Sequence, residues 1–447
     1  MRIDTQFYKQ MLKIAIPIAL QSLIVSSLNT LDTVMITNLG DATIAGVGLA
    51  NQVFFFFMMI CFGIGTGSSV MIAQYHGRRD LGAVRKVNAF SSILALIVGL
   101  IFTVLAVLFP HFIIGLMIND LDVINSGAQY LQVIAFSYMI TGFSFANGIT
   151  LRSTGNPRGP LLASIVSFFF NAFFNYVLIF GKLGFPELGV VGAAVGTIIA
   201  RTTELFIIIL QSIKDDGPLK GDLREMCQFD KSFIKKYIDI TAPVIVNETF
   251  WALGQVLYSV AYALVGTEAT AAIQVIVAIQ NIAFVIIRGL SNSCTIILGN
   301  TIGRGHFDKV YPYAIRFFKI GTVFAVALGL FMALIPEVSL SLFNNLSAQV
   351  YQLSLELLRV MGFLFIIKAF NSILIVGVLR GGGDTRYSMA VEMTSVWLVG
   401  VPLAFIGAAI LKLPIHWVVV LAAMEEFTKA IIGFIRVRSK KWIHQIE

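Results

Sequence analysis

The chain has 447 residues, of which 57% are hydrophobic and 13% charged, with 37 phenylalanines and a formal net charge of +8. A soluble domain carries about 25% charged residues, so this balance excludes a water-soluble globular protein and makes lipid the solvent for much of the surface. The basic excess does not indicate a nucleic-acid partner, because the basic residues fall in short segments between long apolar runs. Cys61, Cys227 and Cys294 have no paired spacing that would build a disulfide framework or metal cluster.

A polar segment, Met1 to Gln10, comes first, with no small-residue cleavage pattern after it, so a removed signal peptide is not expected. A membrane crossing needs about 20 predominantly apolar residues. The runs that meet this are near 12–37, 47–73, 88–110, 129–151, 160–181 and 189–211. A polar linker at 212–236 follows, and then runs near 237–265, 270–298, 313–336, 353–379, 388–410 and 415–436. The runs are continuously apolar rather than alternating, which excludes a β-barrel. The expected fold is therefore an all-α integral membrane protein with 12 transmembrane helices.

Charge sorts the loops. With the N-terminus in the cytoplasm, 24 basic residues fall inside and only Lys182 and Lys412 outside. That bias sets the orientation, with both termini cytoplasmic in a multi-pass inner membrane protein. The halves also repeat. Pro17 stands in the place of Pro243, Gly40 of Gly266, Gly77-Arg78 of Gly303-Arg304, and Arg152 to Arg158 of Arg380 to Arg386. The expected domains are an N-terminal lobe (1–211), a cytoplasmic linker (212–236) and a C-terminal lobe with a short tail (237–447). Parallel repeats of this kind are a recognised transporter design, with a site in the cleft between the lobes. No GxxxxGK[ST] segment supports ATP-driven pumping, and no filter-like motif supports a channel.

Ionisable side chains inside spans are costly, so they mark function. Asp32 lies in the outer part of span one, with Asn29 and Thr33 on its face, and suits a proton or Na⁺. Glu248, with Asn247 beside it, lies about 11 residues into span seven and is suited to load and release a proton. Lys368 lies near the middle of span ten, too deep to snorkel, and is expected to pair with Glu248. Asn171 and Asn175 share one face of span five. With Gln52, Gln255, Lys368 and Asn371 they are candidates to line a substrate cavity. Arg152 and Arg158 are expected at the inner headgroups, in architectural roles, and Arg380 and Arg386 repeat them on the cytoplasmic side. The histidines form no metal cluster or Ser-His-Asp arrangement, so neither a catalytic residue nor a metal site nor a cofactor is expected. An intramembrane hydrolase would need a nucleophile with its base, and neither is present.

These residues resemble those of the multidrug and toxic compound extrusion (MATE) family. The resemblance rests on Asp32-Thr33-Val34-Met35-Ile36, Leu151 to Asn156, Leu379 to Arg386, the stretch Asn171 to Gly181, and Gly192-Ala193-Ala194. It implies two pseudo-twofold-related six-helix lobes in a V. It implies export of small organic, often cationic, compounds in exchange for H⁺ or Na⁺, by a protein expected to work as a monomer in the bilayer. Asp32 matches the family's coupling acid, Asn171 an amide of the same cavity, and Glu248 an acid of the C-terminal lobe. Where some members carry a second acid, this chain has Asn175. Where those with the span-seven acid carry another in span ten, it offers Lys368 and Asn371. Those departures tilt the expectation toward H⁺. A flippase or exporter of a lipid-linked or amphiphilic metabolite is the alternative, and Lys368 keeps it open.

Overall fold

The computed structural model describes residues 5–36, 39–214, 217–341, 343 and 346–446. The described chain is helical. In order the helices are α1 (Thr5–Ile36), α2 (Asp41–Gly77), α3 (Leu81–Leu108), the short α4 (Pro110–Gly115), α5 (Leu121–Ile134), α6 (Phe136–Ser153), α7 (Arg158–Phe180) and α8 (Gly189–Ile213). After the one-turn α9 (Leu223–Met226) come α10 (Lys231–Ala263), α11 (Thr267–Gly303), α12 (Phe307–Leu334), the short α13 (Pro336–Leu340) and α14 (Ala348–Ser372). The last are α15 (Thr385–Ser395), α16 (Val401–Phe405), α17 (Ile415–Ala422) and α18 (Met424–Arg438). π-Helical turns extend α14 to Arg380, α15 to Gly400 and α16 to Ile410.

The sequence repeat reappears as repeated geometry. Helices α2 and α11 both have 37 residues, and α3 and α12 both have 28. Each pair starts 226 residues apart (41 and 267, 81 and 307). The repeated turns also share a backbone form: Gly155 and Gly383 both take positive φ, +90° and +91°. That conformation costs a residue with a Cβ but not glycine.

Nine helices among the described residues are long and apolar enough to cross a membrane, and the pair α5–α6 makes ten. The run expected as one span at 129–151 is that pair, bent by 49°. Ala135 sits at the break, where its carbonyl accepts a 2.8 Å hydrogen bond from the Thr103 hydroxyl of α3. A neighbouring side chain thus satisfies the backbone group that the bend exposes. The expected spans 237–265 and 415–436 correspond to α10 and to α17 with α18. α10 carries Asn247 and Glu248, and α17 and α18, of 8 and 15 residues, are each short and carry Glu425, Glu426 and Lys429; all five of these polar side chains are buried.

The described residues form two compact units. One runs from Leu20 to Ile245; the other joins the residues up to Ala19 to those from Val246 onward. Both divisions fall two residues beyond an intrahelical proline, Pro17 in α1 and Pro243 in α10. In the first unit, Val47, Phe57, Leu131, Tyr138 and Ile179 form the core, and the Phe57 ring stacks on Tyr138 at 5.1 Å. The expected aromatic tract therefore splits: Phe57 is fully buried and Phe55 is exposed. In the second unit, Phe7, Ile18, Ile297, Phe317 and Trp442 form one core, and Ile276, Leu357, Phe365 and Val418 another.

Candidate ion and substrate sites

In the unit from Leu20 to Ile245, a polar nest forms where α1, α7 and α8 meet. Asn171 and Asn175 lie one turn apart on α7, both fully buried. The Asn175 amide donates to the Asp32 carboxylate at 2.6 Å and to the Asn171 carbonyl oxygen at 3.1 Å. Asn171 in turn donates to the Thr197 hydroxyl at 3.2 Å. Asp32 also lies within electrostatic reach of Arg201, one helical turn beyond Thr197, and Arg201 is paired with Glu204 at 2.9 Å.

One atom of this nest is left over. The Asn175 carbonyl oxygen is buried with no hydrogen-bond partner among the described residues. It points at Gly196 of α8, where a Cβ would collide with it. Small residues let α7 and α8 approach this closely. The nest thus gathers the Asp32 carboxylate, two amide oxygens and a hydroxyl. Oxygen donors of this kind suit a proton or a hard cation. The side chains of Asn29 and Thr33, expected beside Asp32, lie outside the described residues. The structure brings together Asp32, Asn171 and Asn175, which the sequence placed on two separate spans, and adds Thr197 and Arg201.

In the other unit, Glu248 takes a different partner from the one expected. Its carboxylate is bound by the Arg380 guanidinium at 2.6 Å, not by Lys368. Arg380 also meets Glu392 at 3.3 Å, and the Asn247 amide donates to Glu392 at 2.5 Å. Arg380 is only 3% exposed, so it is a buried bridge between α10 and α15 and not a headgroup residue. The correction has a physical reason. An arginine at the end of a span reaches inward when an acid on a neighbouring helix compensates its burial.

A second buried network links α10, α14 and α18. The Tyr258 hydroxyl donates to Glu425 at 2.5 Å. Lys429 bridges Glu425 at 3.1 Å and Glu426 at 3.4 Å. The Asn371 amide donates at 2.7 Å to both the carboxylate and the backbone carbonyl of Glu426. Asn371 is therefore engaged by an acid that the sequence reading did not single out. The signal was there: Glu425, Glu426 and Lys429 lie at helical i, i+3 and i, i+4 spacing inside an apolar run. Lys368 stands apart with its ammonium 5.6 Å from the centre of the Phe284 ring. Gln52 is exposed and Gln255 half-buried. Among the described residues no group of three or more His, Cys, Asp or Glu side chains is arranged to hold a metal ion.

Comparison with known proteins agrees with this architecture. The chain matches the family MatE over residues 17–177 and 243–406, together more than half its length. It is 27% identical over 406 residues to a probable multidrug resistance protein NorM of Thermotoga maritima, covering 89% of this chain and 85% of that one. It is 26% identical over 438 residues to the uncharacterized transporter YisQ of Bacillus subtilis, covering 96% and 94%. Among solved structures it resembles a MOP superfamily transporter from Pyrococcus furiosus, described as having a binding pocket of reversed polarity. The TM-score is 0.87 at 22% identity, over 97% of this chain and 95% of that one. A multidrug resistance MATE transporter in an outward-facing conformation gives a TM-score of 0.86 at 22% identity and the same coverage. At that identity the structural likeness concerns the fold.

Proposed function

The chain belongs to the MatE family, and on that footing we propose that it is an H⁺-coupled antiporter that exports small organic compounds across the cytoplasmic membrane. The observation that carries the coupling is the contact between Asp32 and Asn175, whose amide donates to a carboxylate held within a membrane helix. An ionised carboxylate at that depth needs such donors. Taking up a proton removes the need and turns the acid into a donor. The unpartnered Asn175 carbonyl oxygen is then the acceptor for the new O–H, once the amide turns over. Proton binding thus rearranges the hydrogen bonds from α1 to α7 and, through Asn171 and Thr197, to α8.

In this cycle a proton enters Asp32 from outside as the organic compound leaves. Proton loss to the cytoplasm restores the Asn175–Asp32 bond and the affinity for the next molecule. Glu248 serves as a structural acid, because its carboxylate is held by Arg380. The same nest supports Na⁺ as the alternative coupling ion, since Asn171, Asn175 and Thr197 add oxygen ligands to the carboxylate. The test is uptake of a panel of organic cations, anions and zwitterions into proteoliposomes, with pH and Na⁺ gradients imposed separately. Flux driven by the pH gradient alone is expected. Flux driven only by Na⁺ assigns the alternative ion, and no gradient-dependent flux of any compound refutes antiport.

A further inference from the structure

Arg288 and Lys368, on helices α11 and α14 of the unit that contains residues 246–447, have no ion-pair partner among the described residues. Arg288 lies a little past the midpoint of the 37-residue helix α11. Lys368 lies well inside the apolar span Ala348–Arg380. Neither makes an ion pair or a side-chain hydrogen bond among the described residues; the Asn292 amide donates to the Arg288 backbone carbonyl at 2.8 Å. Their helices pack together: Phe284 of α11 meets Phe365 of α14 edge to face at 5.1 Å, and Ser291 is 3.0 Å from Ser372. The Lys368 ammonium and the Arg288 guanidinium lie within electrostatic reach and repel each other.

The nearest acids do not neutralise them. Lys368 feels Glu426 and Glu425, but Glu425 is held by Tyr258 and Lys429, and Glu426 by Asn371 and Lys429. The group as a whole has two acids against three bases, a net charge of +1. A lipid-facing guanidinium at mid-span is disfavoured. Yet Arg288 is exposed and Lys368 half-exposed. Asn281 is exposed on the same α11 face, two turns before Arg288.

We propose that Arg288 and Lys368 form an anion-binding subsite that takes the acidic group of the transported compound, with the Phe284 ring beside it. Arginine gives a planar fork of donors and lysine a point charge, a pairing suited to carboxylate or phosphate. The substrate class is thus an amphiphile or aromatic compound bearing an acid, not a purely cationic drug. This rests on the transporter reading, and its test separates the two.

The full chain in phosphatidylcholine nanodiscs is titrated with 1-naphthylacetate and with its neutral isostere 1-naphthylacetamide. The carboxylate is expected to bind at least about tenfold more tightly than the amide. The preference should collapse in Lys368→Met and in Arg288→Gln, and survive in Lys368→Arg. Equal binding of the two probes by the unaltered protein overturns the proposal. So does a preference that survives both charge-removing variants, and so does its loss in the conservative Lys368→Arg. A merely structural Lys368 would change thermal stability without moving the ratio. A short-chain phosphatidylglycerol that competes with the carboxylate identifies a lipid headgroup as the natural source of the anion; failure to compete identifies a soluble acid. Gradient-driven flux measured alongside tells the two readings apart. Flux without carboxylate preference refutes the subsite alone, and preference without any flux refutes the transporter alone.

Discussion

Removing Arg380 should damage the protein far more than removing the charge of Glu248. The guanidinium is 3% exposed and contacts two acids, Glu248 at 2.6 Å and Glu392 at 3.3 Å. Arg380→Met therefore strands the buried Glu248 carboxylate and leaves the half-buried Glu392 to the Asn247 amide alone, and breaking a buried pair in this way costs about 3–5 kcal/mol. Glu248→Gln leaves an amide oxygen that still accepts from Arg380, which keeps Glu392. Its cost should be about 1–2 kcal/mol. The difference of about 2 kcal/mol is roughly 30-fold in the folded-to-unfolded ratio. The assay is unfolding of the purified protein in mixed micelles, read as inactivation half-life at fixed temperature if refolding fails. The double variant should cost less than the sum of the singles, because the residues share one network. Equal stability of the two single variants, or strict additivity, refutes the triad as described. The same Glu248→Gln protein should retain gradient-driven transport.

Gly196→Ala places a methyl group against the Asn175 carbonyl oxygen. It should displace the amide from Asp32, lower coupled transport about tenfold, and weaken organic-compound binding by titration, because the Asn175–Asp32 bond accompanies the state that binds the compound. Trp442 is fully buried, and its ring fills the space beside Gly382. Trp442→Ala should cost about 3–5 kcal/mol and speed tryptic cleavage after Lys440 and Lys441. Docking of this tail should also be acid-sensitive. Burial alone would raise the Asp384 carboxyl, but His444, 3.7 Å away, and the Arg436 guanidinium, which donates to it at 2.7 Å, outweigh burial and hold the group below the usual aspartate range. Its stabilisation is thus present above the unfolded value of about 3.9 and lost as pH falls through the lower folded value. Protection of the tail amides against hydrogen exchange, followed as the pH is lowered, should hold above the unfolded value and be lost as the pH falls through the lower folded one.

Much of the fold was legible because apolar run length, loop charge and the positions of Gly40, Gly155, Gly266 and Gly383 are properties of local sequence. The bend at Ala135 was not, because it depends on a hydroxyl that Thr103 supplies from another helix. The same holds for the charges. The Asp32 nest was readable from one residue in span one and two amides a turn apart in span five. The partner of Glu248 was not, since Arg380 lies in a basic turn that resembles every other inner turn of the chain. Its inward direction is decided by Glu248 and Glu392, on two other helices. Lys368 was conspicuous as a mid-span base, but that the nearby Glu425 and Glu426 are already held by Tyr258, Lys429 and Asn371 is decided by the packing of α10, α14 and α18.

The central claim is that Asp32 carries the coupled ion, and one comparison tests it most directly. Unaltered protein and Asp32→Asn are reconstituted side by side, and efflux of one transported compound is followed with and without an imposed pH gradient. Asparagine keeps the size and hydrogen-bonding capacity of the residue while removing the proton site. The account predicts that the gradient accelerates efflux through the unaltered protein and leaves Asp32→Asn at its gradient-free rate. Equal acceleration of both proteins would contradict it.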